Sequence, residues 1–438
     1  MSKEAKNMLV PKLRFPEFKL DGSWDEKTFG EVTYPVSEKN KEGKQYPIYS
    51  INNVEGFLPQ SDQFEGVDSH DRGYDVSLYK LIGKNTFAYN PARINVGSIG
   101  YSGELHDIII SSLYVCFKTT EALYDLFLIQ FLKTNSFNKS VKKNVEGGIR
   151  NYLFYENFSR INLFLPSIKE QQKIADCLSS LDELITAEDQ KLEALKVHKK
   201  GLMQQLFPRR NYDSYDEMMT MMKEKNHSPS QNQTNHSSDN VPKLRFAEFK
   251  DSGDWVETIL SEVANYENGK AHEQDIVEEG EYIVVNSKFI SSEGKVKKYT
   301  NTAFCIAAKG DILMVLSDVP NGKTIAKCFF VEADNLYSVN QRICKITAFD
   351  ANGLMLFYVL NRNPYFLAFD DGVKQTNFRN DDVLNFPMLL PKDPKEKQRI
   401  GECLSSLDEL ITAQSEKIEA LQAHKKGLMQ QLFPLSGL

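Results

Sequence analysis

From Ile174 onward, apolar residues return at alternating intervals of four and three: Ile174, Leu178, Leu181, Ile185, then Leu192, Leu195, Leu202 and Leu206. A heptad held over more than four repeats predicts one long helix with a single apolar seam. The pattern recurs at Ile400, Leu404, Leu407, Ile411, Ile418, Leu421, Leu428 and Leu432. Polar residues stand in the seam at Glu188 and Lys199, and at the equivalent Gln414 and Lys425. Such residues lower stability but select register and partner. Prolines bound both helices, Pro166 and Pro208 around the first, Pro391, Pro394 and Pro434 around the second, as helix ends require. From about residue 169 to 206, at 1.5 Å per residue, each helix is roughly 57 Å long. Two such seams in one chain predict that the helices pair with each other. The plainer alternative is a dimerisation element joining two chains.

The rest of the chain follows a different period. Residues 24–165 and 255–391 carry short β-rich runs, among them "YPIYSI", "DIIISSLYVCFKT", "EYIVVNS", "DILMVLS" and "NQRICKIT", punctuated by Gly and Asn. Each stretch holds one apolar helical pattern, "ALYDLFLIQFLKTN" (122–135) and "NGLMLFYVLNRN" (352–363). These are two mixed α/β (α+β) segments.

The helices are not merely alike. "CLSSLDELITA" occupies 177–187 and returns unchanged at 403–413, and "HKKGLMQQLFP" occupies 198–208 and 424–434. "VPKLRFPEF" (10–18) returns as "VPKLRFAEF" (241–249), and Trp24 and Trp255, the two tryptophans, follow at equal distances. The chain is therefore a tandem duplication, and little can be aligned between its two globular parts. This divides it into a leader and first domain (1–166), a first helix (167–208), a linker (209–240), a second leader and domain (241–394) and a second helix (395–438). The linker is Ser/Asn/Gln-rich from His227 on, a composition that does not bury a core. Two long repeats predict a pseudo-two-fold molecule, with the helices antiparallel, rather than a solenoid. A seam alone accounts only for the identity of its apolar positions. The matching Ser, Asp and Glu between them are expected to face outward, toward a partner.

Bulk properties narrow the class. With 438 residues, 41% hydrophobic and 26% charged, the composition is that of a soluble globular protein of two or three domains. No apolar run is long enough to span a bilayer, and "MSKEAKNMLVPKLRF" has no apolar core of signal-peptide length. Six scattered cysteines without a CxxC pair argue for a reducing cytoplasm, and against a disulfide framework or a zinc site. A net charge of −7 is unusual for a nucleic-acid binder, so any basic groove must be local.

Catalytic motifs fail in turn. "NPYF" (363–366) lacks the second proline of the adenine-methyltransferase motif, follows a helix, and has no glycine-rich cofactor loop before it. "EGK" at 42–44 and 293–295 is too short to mean a nuclease. There is no GxxxxGK[ST] loop for ATP. His70, His106 and His272 are isolated. What remains are polar clusters in glycine-rich loops: "YNPARINVGSIGYSG" (89–103), "KSVKKNVEGGIRNYLF" (139–154), "SDVPNGKT" (317–324), "YSVNQR" (337–342) and "DDGVKQTNFR" (370–379). Arg, Lys, Asn and Gln are the side chains that read base edges and phosphates; solvated turns account for these clusters equally well. The candidate DNA-binding residues are Arg93, Asn95, Lys142, Lys143, Arg150 and Asn151 in the first domain. In the second they are Asn321, Lys323, Gln341, Arg342, Lys374, Gln375 and Arg379.

The doubled "VPKLRFxEF…W" leader, "LPSIKEQQKIADCLSSLDELI" with its echo "KEKQRIGECLSSLDELI", the doubled "KKGLMQQLFP", "ARINVGSIGY" and "GGIRNYLF" together make the chain resemble the specificity (S) subunit of type I restriction-modification systems. The resemblance covers nearly everything outside the linker. It implies that each variable segment is a target recognition domain reading one half of a bipartite double-stranded DNA site. It also implies that the two helices form an antiparallel coiled coil that spaces the domains and binds two methyltransferase (M) subunits. Two ATP-dependent restriction (R) subunits would complete the complex. Catalysis, with S-adenosylmethionine and ATP, would lie on those partners and not on this chain. A helix of roughly 57 Å, at 3.4 Å per base pair, would limit half-site separation to about seventeen base pairs. The competing expectations are a coiled-coil scaffold that binds proteins without DNA and, more remotely, a self-contained DNA methyltransferase.

Overall fold

The computed structural model describes residues 10–208 and 240–434, apart from 54, 146–151, 321 and 351; the linker expected at 209–240 lies almost wholly outside them. The chain divides into two units, Met1–Asp189 with Glu416–Leu438, and Gln190–Ser415. Each long helix, Ile168–Leu206 and Pro394–Leu432, is thus shared between units. Each unit holds one globular domain, the first half of its own helix and the last half of the other. Pro394 does not precede the second helix but begins it, at a position where a missing N–H costs nothing.

The first domain is built on two four-stranded sheets. One runs Thr33–Pro35, Val115–Thr119, Phe87–Tyr89, Ile99–Tyr101, antiparallel throughout. The other runs Gly56–Pro59, Ile48–Asn52, Ile108–Ile110, Lys80–Ile82, with Ile48–Asn52 and Ile108–Ile110 parallel. The unbroken "III" is a strand covered on both faces. Ile108 and Ile110 join one apolar cluster and Ile109 another, as the two-residue period of a strand requires. Phe29 stacks on Phe158 at 4.3 Å and Phe87 on Phe117 at 5.1 Å in the main core.

The second domain repeats this order from different residues. Ala264–Asn268, Ile343–Ala348, Ile312–Val315 and Cys328–Phe330 form the antiparallel sheet. The second sheet again has a central parallel pair, Tyr282–Val285 with Tyr337–Val339. "ILMV" is buried on both faces, Ile312 and Met314 in one cluster, Leu313 and Val315 in the other. Each domain returns to its long helix through a closing strand, Asn162–Leu165 paired with Asp25–Thr28, and Pro387–Leu390 paired with Val256–Ile259.

The leader is the clamp between domain and helices. In the first unit Arg14 Nε and Nη2 donate to the two carboxylate oxygens of Glu170 at 2.8 and 2.7 Å, and Nη1 donates to the Asp21 and Gly22 carbonyls. Leu13 N donates to the Gln431 carbonyl at 3.0 Å, so the same segment grips the start of one helix and the end of the other. Trp24 packs edge-on against Phe433. In the second unit Arg245 grips Glu396 at 2.7 Å with both bonds, Leu244 N donates to the Gln205 carbonyl, and Trp255 packs on Phe207. Here Trp255 Nε1 also reaches Glu396 at 3.3 Å.

Within the first unit the helix halves run antiparallel, Lys425 meeting Asp182 and Lys417 meeting Glu188. Ile174, Leu178, Leu206, Ile400, Leu404, Ile418 and Leu432 of the seam are buried. Leu181, Ile185, Leu192, Leu195, Leu202, Leu407, Ile411, Leu421 and Leu428 are partly buried. The seam ends belong to the domain cores: Ile174, Leu178 and Leu432 lie in the first, Leu206, Ile400 and Leu404 in the second.

The expectation that the matching acids face outward needs correcting for Asp182 and Asp408. Asp182 binds Lys425 and also accepts from Gln130 and Lys133. Asp408 accepts from Lys199 at 2.5 Å and Tyr358 at 2.7 Å. Each acid ties a helix of its domain to a lysine of the other long helix, so the polar seam positions Lys199 and Lys425, like Glu188 with Lys417, are held in ion pairs. The Ser180 and Ser406 hydroxyls turn back to helix carbonyls, and Glu183 and Glu409 remain exposed.

Candidate nucleic-acid interface

In the first domain, strands Phe87–Tyr89 and Ile99–Tyr101 are joined by the loop 90–98, which carries Arg93 and Asn95. Buried Ile94 anchors it from below. Asn90 N donates to Ser98 O and Ser98 N to Arg93 O, which closes the loop on itself. Gly97, at φ +92°, makes the left-handed turn that lets the chain re-enter the sheet. Arg93 is exposed at the start of the one-turn helix Ile94–Val96; Asn95 lies within that turn. Helix Asn135–Asn144 packs beside it. Phe137 and Val141 face the core while Lys139, Lys142 and Lys143 are exposed. Lysines in a last helical turn also suit the negative end of its dipole. The fold thus brings Arg93 and the lysines, far apart in sequence, onto neighbouring elements. Arg150 and Asn151 lie outside the described residues.

In the second domain the candidates gather around one short ladder, Ser317–Asp318 with Thr376–Asn377. Gln375 Nε2 donates to Ser317 Oγ at 2.7 Å, Leu316 N donates to Arg342 O, and Phe378 N donates to Leu316 O. Lys323, Arg342, Lys374 and Arg379 are exposed around it. Gln341 precedes Arg342 in the same turn, and its amide donates to Glu273 at 2.6 Å. Asn321 lies outside the described residues.

The start and end of the Lys323 loop are tied together by Asp318. Asp318 accepts backbone N–H bonds from Val319, Thr324 and Ile325 at 2.7–3.1 Å. A Cβ on Gly322 would lie 2.1 Å from Asp318 Oδ2, so any other residue there would displace that carboxylate. Burial pushes the Asp318 carboxyl upward, but its hydrogen bonds from Thr324 and the backbone hold it below the ordinary range.

The other motifs are structural. Asn363 of "NPYF" caps a short helix, accepting from Tyr365 N and donating to Val359 O, with Tyr365 and Phe366 buried behind it. His272 is buried against Ser338 Oγ at 2.7 Å. Among the described residues no cluster of His, Cys, Asp and Glu could hold a metal ion, and no helix is long and apolar enough to cross a membrane.

Two copies of one frame, each with a polar rim of exposed loops and joined to duplicated helices, define a paired recognition module. The chain belongs to the type I restriction modification DNA specificity domain family, whose profile matches residues 23–197 and again 252–423. It is 26% identical over 346 residues to the type I restriction enzyme MjaVIII specificity subunit of Methanocaldococcus jannaschii, covering 74% of this chain and 73% of that one. The putative MjaX specificity subunit of the same organism is 26% identical over 185 residues, 39% of this chain and 41% of that protein. Among solved structures, the S subunit of the type I system from M. genitalium matches with a TM-score of 0.59 at 13% identity, covering 97% of this chain and 99% of that one. A chain from a structure describing assembly and conformational transition of the type I R-M system matches at 0.51 and 12% identity, covering 94% and 97%. At these identities the structural likeness speaks for the fold.

Proposed function

We propose that each domain reads one half of a bipartite DNA site and that the paired helices set the interval between the halves and carry two methyltransferase subunits. On this reading the assembled complex methylates adenine at N6. With two restriction subunits it performs ATP-dependent cleavage. The chain itself contributes recognition and no chemistry; S-adenosylmethionine and ATP are bound by the partners. The observation that carries the reading is the division of labour within the repeat. The helices share most of their residues, in two long unbroken runs, as a common assembly surface demands, while the exposed basic and amide-bearing loops of the two domains differ, as two different half-sites demand.

Mapping N6-methyladenine across the genome with and without this gene tests the proposal. Loss of one bipartite methylated motif is expected; an unchanged methylome in an otherwise intact methylating system overturns it. DNA-dependent capture separates it from a protein-only scaffold. S-adenosylmethionine binding to the isolated chain would mark a self-contained methyltransferase instead.

A further inference from the structure

The path back to the long helix is pinned identically in both domains. Leu153 is buried and its amide donates to the Pro91 carbonyl at 3.0 Å, in the loop that follows strand Phe87–Tyr89. Phe378 is buried and donates to the Leu316 carbonyl at 2.9 Å, just past strand Ile312–Val315. The next residue in each case caps a short helix with the same extended backbone, φ −78° and ψ 163° before Tyr155–Phe158, φ −80° and ψ 161° before Asn380–Leu384. That residue is Phe154 in the first domain and Arg379 in the second. The two positions are structurally equivalent, although the surrounding sequences do not align.

Both side chains point away from the core. Phe154 is 51% exposed, and Tyr152 stacks on it, 5.7 Å between centroids and 6° from parallel. Arg379 is exposed, with its backbone N–H held by Asp382 Oδ2 at 2.7 Å. Through Leu153 and Pro91 the first site adjoins the Arg93 loop; through Phe378 and Leu316 the second adjoins the Lys323, Arg342 and Gln375 cluster. An exposed apolar ring and an exposed guanidinium at one frame position, each on a polar rim, are two different readers on the same mount.

We infer that Phe154 and Arg379 occupy a single specificity-determining position, Phe154 contacting the 5-methyl group of a thymine and Arg379 the O6 and N7 of a guanine in the major groove. The inference rests on the DNA-reading role proposed above. The test uses the full chain assembled with its methyltransferase partner. Binding is measured on cognate duplexes in which uracil replaces each thymine, or 7-deazaguanine each guanine, one at a time. In the half-site of the first domain, one uracil is expected to weaken binding about fourfold, the worth of one buried methyl group. Phe154→Ala erases that sensitivity and leaves the other half-site as it was, while Phe154→Leu, which keeps an apolar surface, retains it. Arg379→Ala erases sensitivity to one 7-deazaguanine in the other half-site and lowers discrimination there roughly 5- to 150-fold. An unchanged substitution profile in Phe154→Ala, or an equal loss on all duplexes in both Phe154 variants, overturns the inference. If the native complex does not distinguish cognate from scrambled duplex, the DNA-reading role itself fails, and the inference with it.

Discussion

The two globular domains share an order of strands and almost no sequence, whereas the two long helices share most of their residues, in two long unbroken runs. In the domains, strands such as Ile108–Ile110 and Ile312–Val315 need only be apolar on both faces, a demand that many sequences meet. In the helices several of the residues common to both copies answer to a particular partner. Asp182 and Asp408 take a lysine from the opposite helix and a side chain from the domain, and Glu170 and Glu396 take an arginine from the leader. A site with directional bonds on several sides tolerates less change than a site that asks only for volume. Drift is therefore permitted in the cores and on the exposed loops, and resisted where leader, domain and both helices meet.

The sharpest way to break this contrast is at the buried clamps. Glu170→Leu leaves the Arg14 guanidinium, with its side chain 7% exposed, without its counter-charge, and is expected to destabilise the protein by about 3–5 kcal/mol. Glu396→Leu should destabilise more, since Trp255 Nε1 loses its acceptor as well. Denaturant titration of both variants checks this; changes below about 1 kcal/mol would show that the clamps are dispensable.

A smaller effect is expected at Asp318. Asp318→Ala removes the acceptor of three backbone N–H groups and should weaken the local structure by about 1–3 kcal/mol. Discrimination should fall in the half-site read by the second domain while the first is unaffected. Competition binding on singly substituted duplexes reads this, and a loss in both halves would contradict the independence of the domains.

At the helix pairing, the sign of the pH effect follows from Asp182. Burial pushes its carboxyl upward, but Lys425, Gln130 and Lys133 together hold it below the ordinary value. Burial also pushes the Lys425 ammonium downward against the pull of Asp182, and the depressed carboxylate is what keeps the pair ionic. A depressed carboxyl stabilises the fold fully above its unfolded value, about 3.9, and that contribution is lost as pH falls through the lower folded value. Asp182→Asn should therefore flatten the acid limb of a melting-temperature profile below about pH 5. The loss at neutral pH should be about 1 kcal/mol, because solvent screens the partly exposed Asp182 although Lys425 is buried. An unchanged acid limb would remove Asp182 from the account.

The smallest and most uniform effect belongs to the lysines. Lys142→Ala and Lys143→Ala should weaken binding alike on every duplex, and each should reduce the slope of log affinity against log salt by about one. A change in sequence preference instead would make them base readers.

Much of this molecule is legible from periodicity alone. The heptads mark both helices, prolines mark their ends, and β-rich runs mark the sheet strands, because each signal lives within a few residues. The candidate Arg93, Lys142, Lys143, Lys323, Arg342, Lys374 and Arg379 are all exposed, a placement that glycine-rich loop chemistry predicts. Nothing local marks Phe154, although it ends the "GGIRNYLF" segment, because an aromatic residue beside a helix looks like core until its exposure is known. The leader was visible as a repeat, but nothing local marks Arg14 as a buried ion-pair partner.

By itself, then, the sequence determined that this protein is a duplicated chain of two mixed α/β domains and two heptad helices, and which family it resembles. Only the tertiary structure decided that Arg14 closes on Glu170 across 156 residues and Lys425 on Asp182 across 243, and that Phe154 and Arg379 stand at one place on a common frame. The reason is physical. Hydrophobic period is written in neighbouring residues, whereas the choice of one carboxylate for one cation depends on burial and direction, which exist only once distant segments have been brought together.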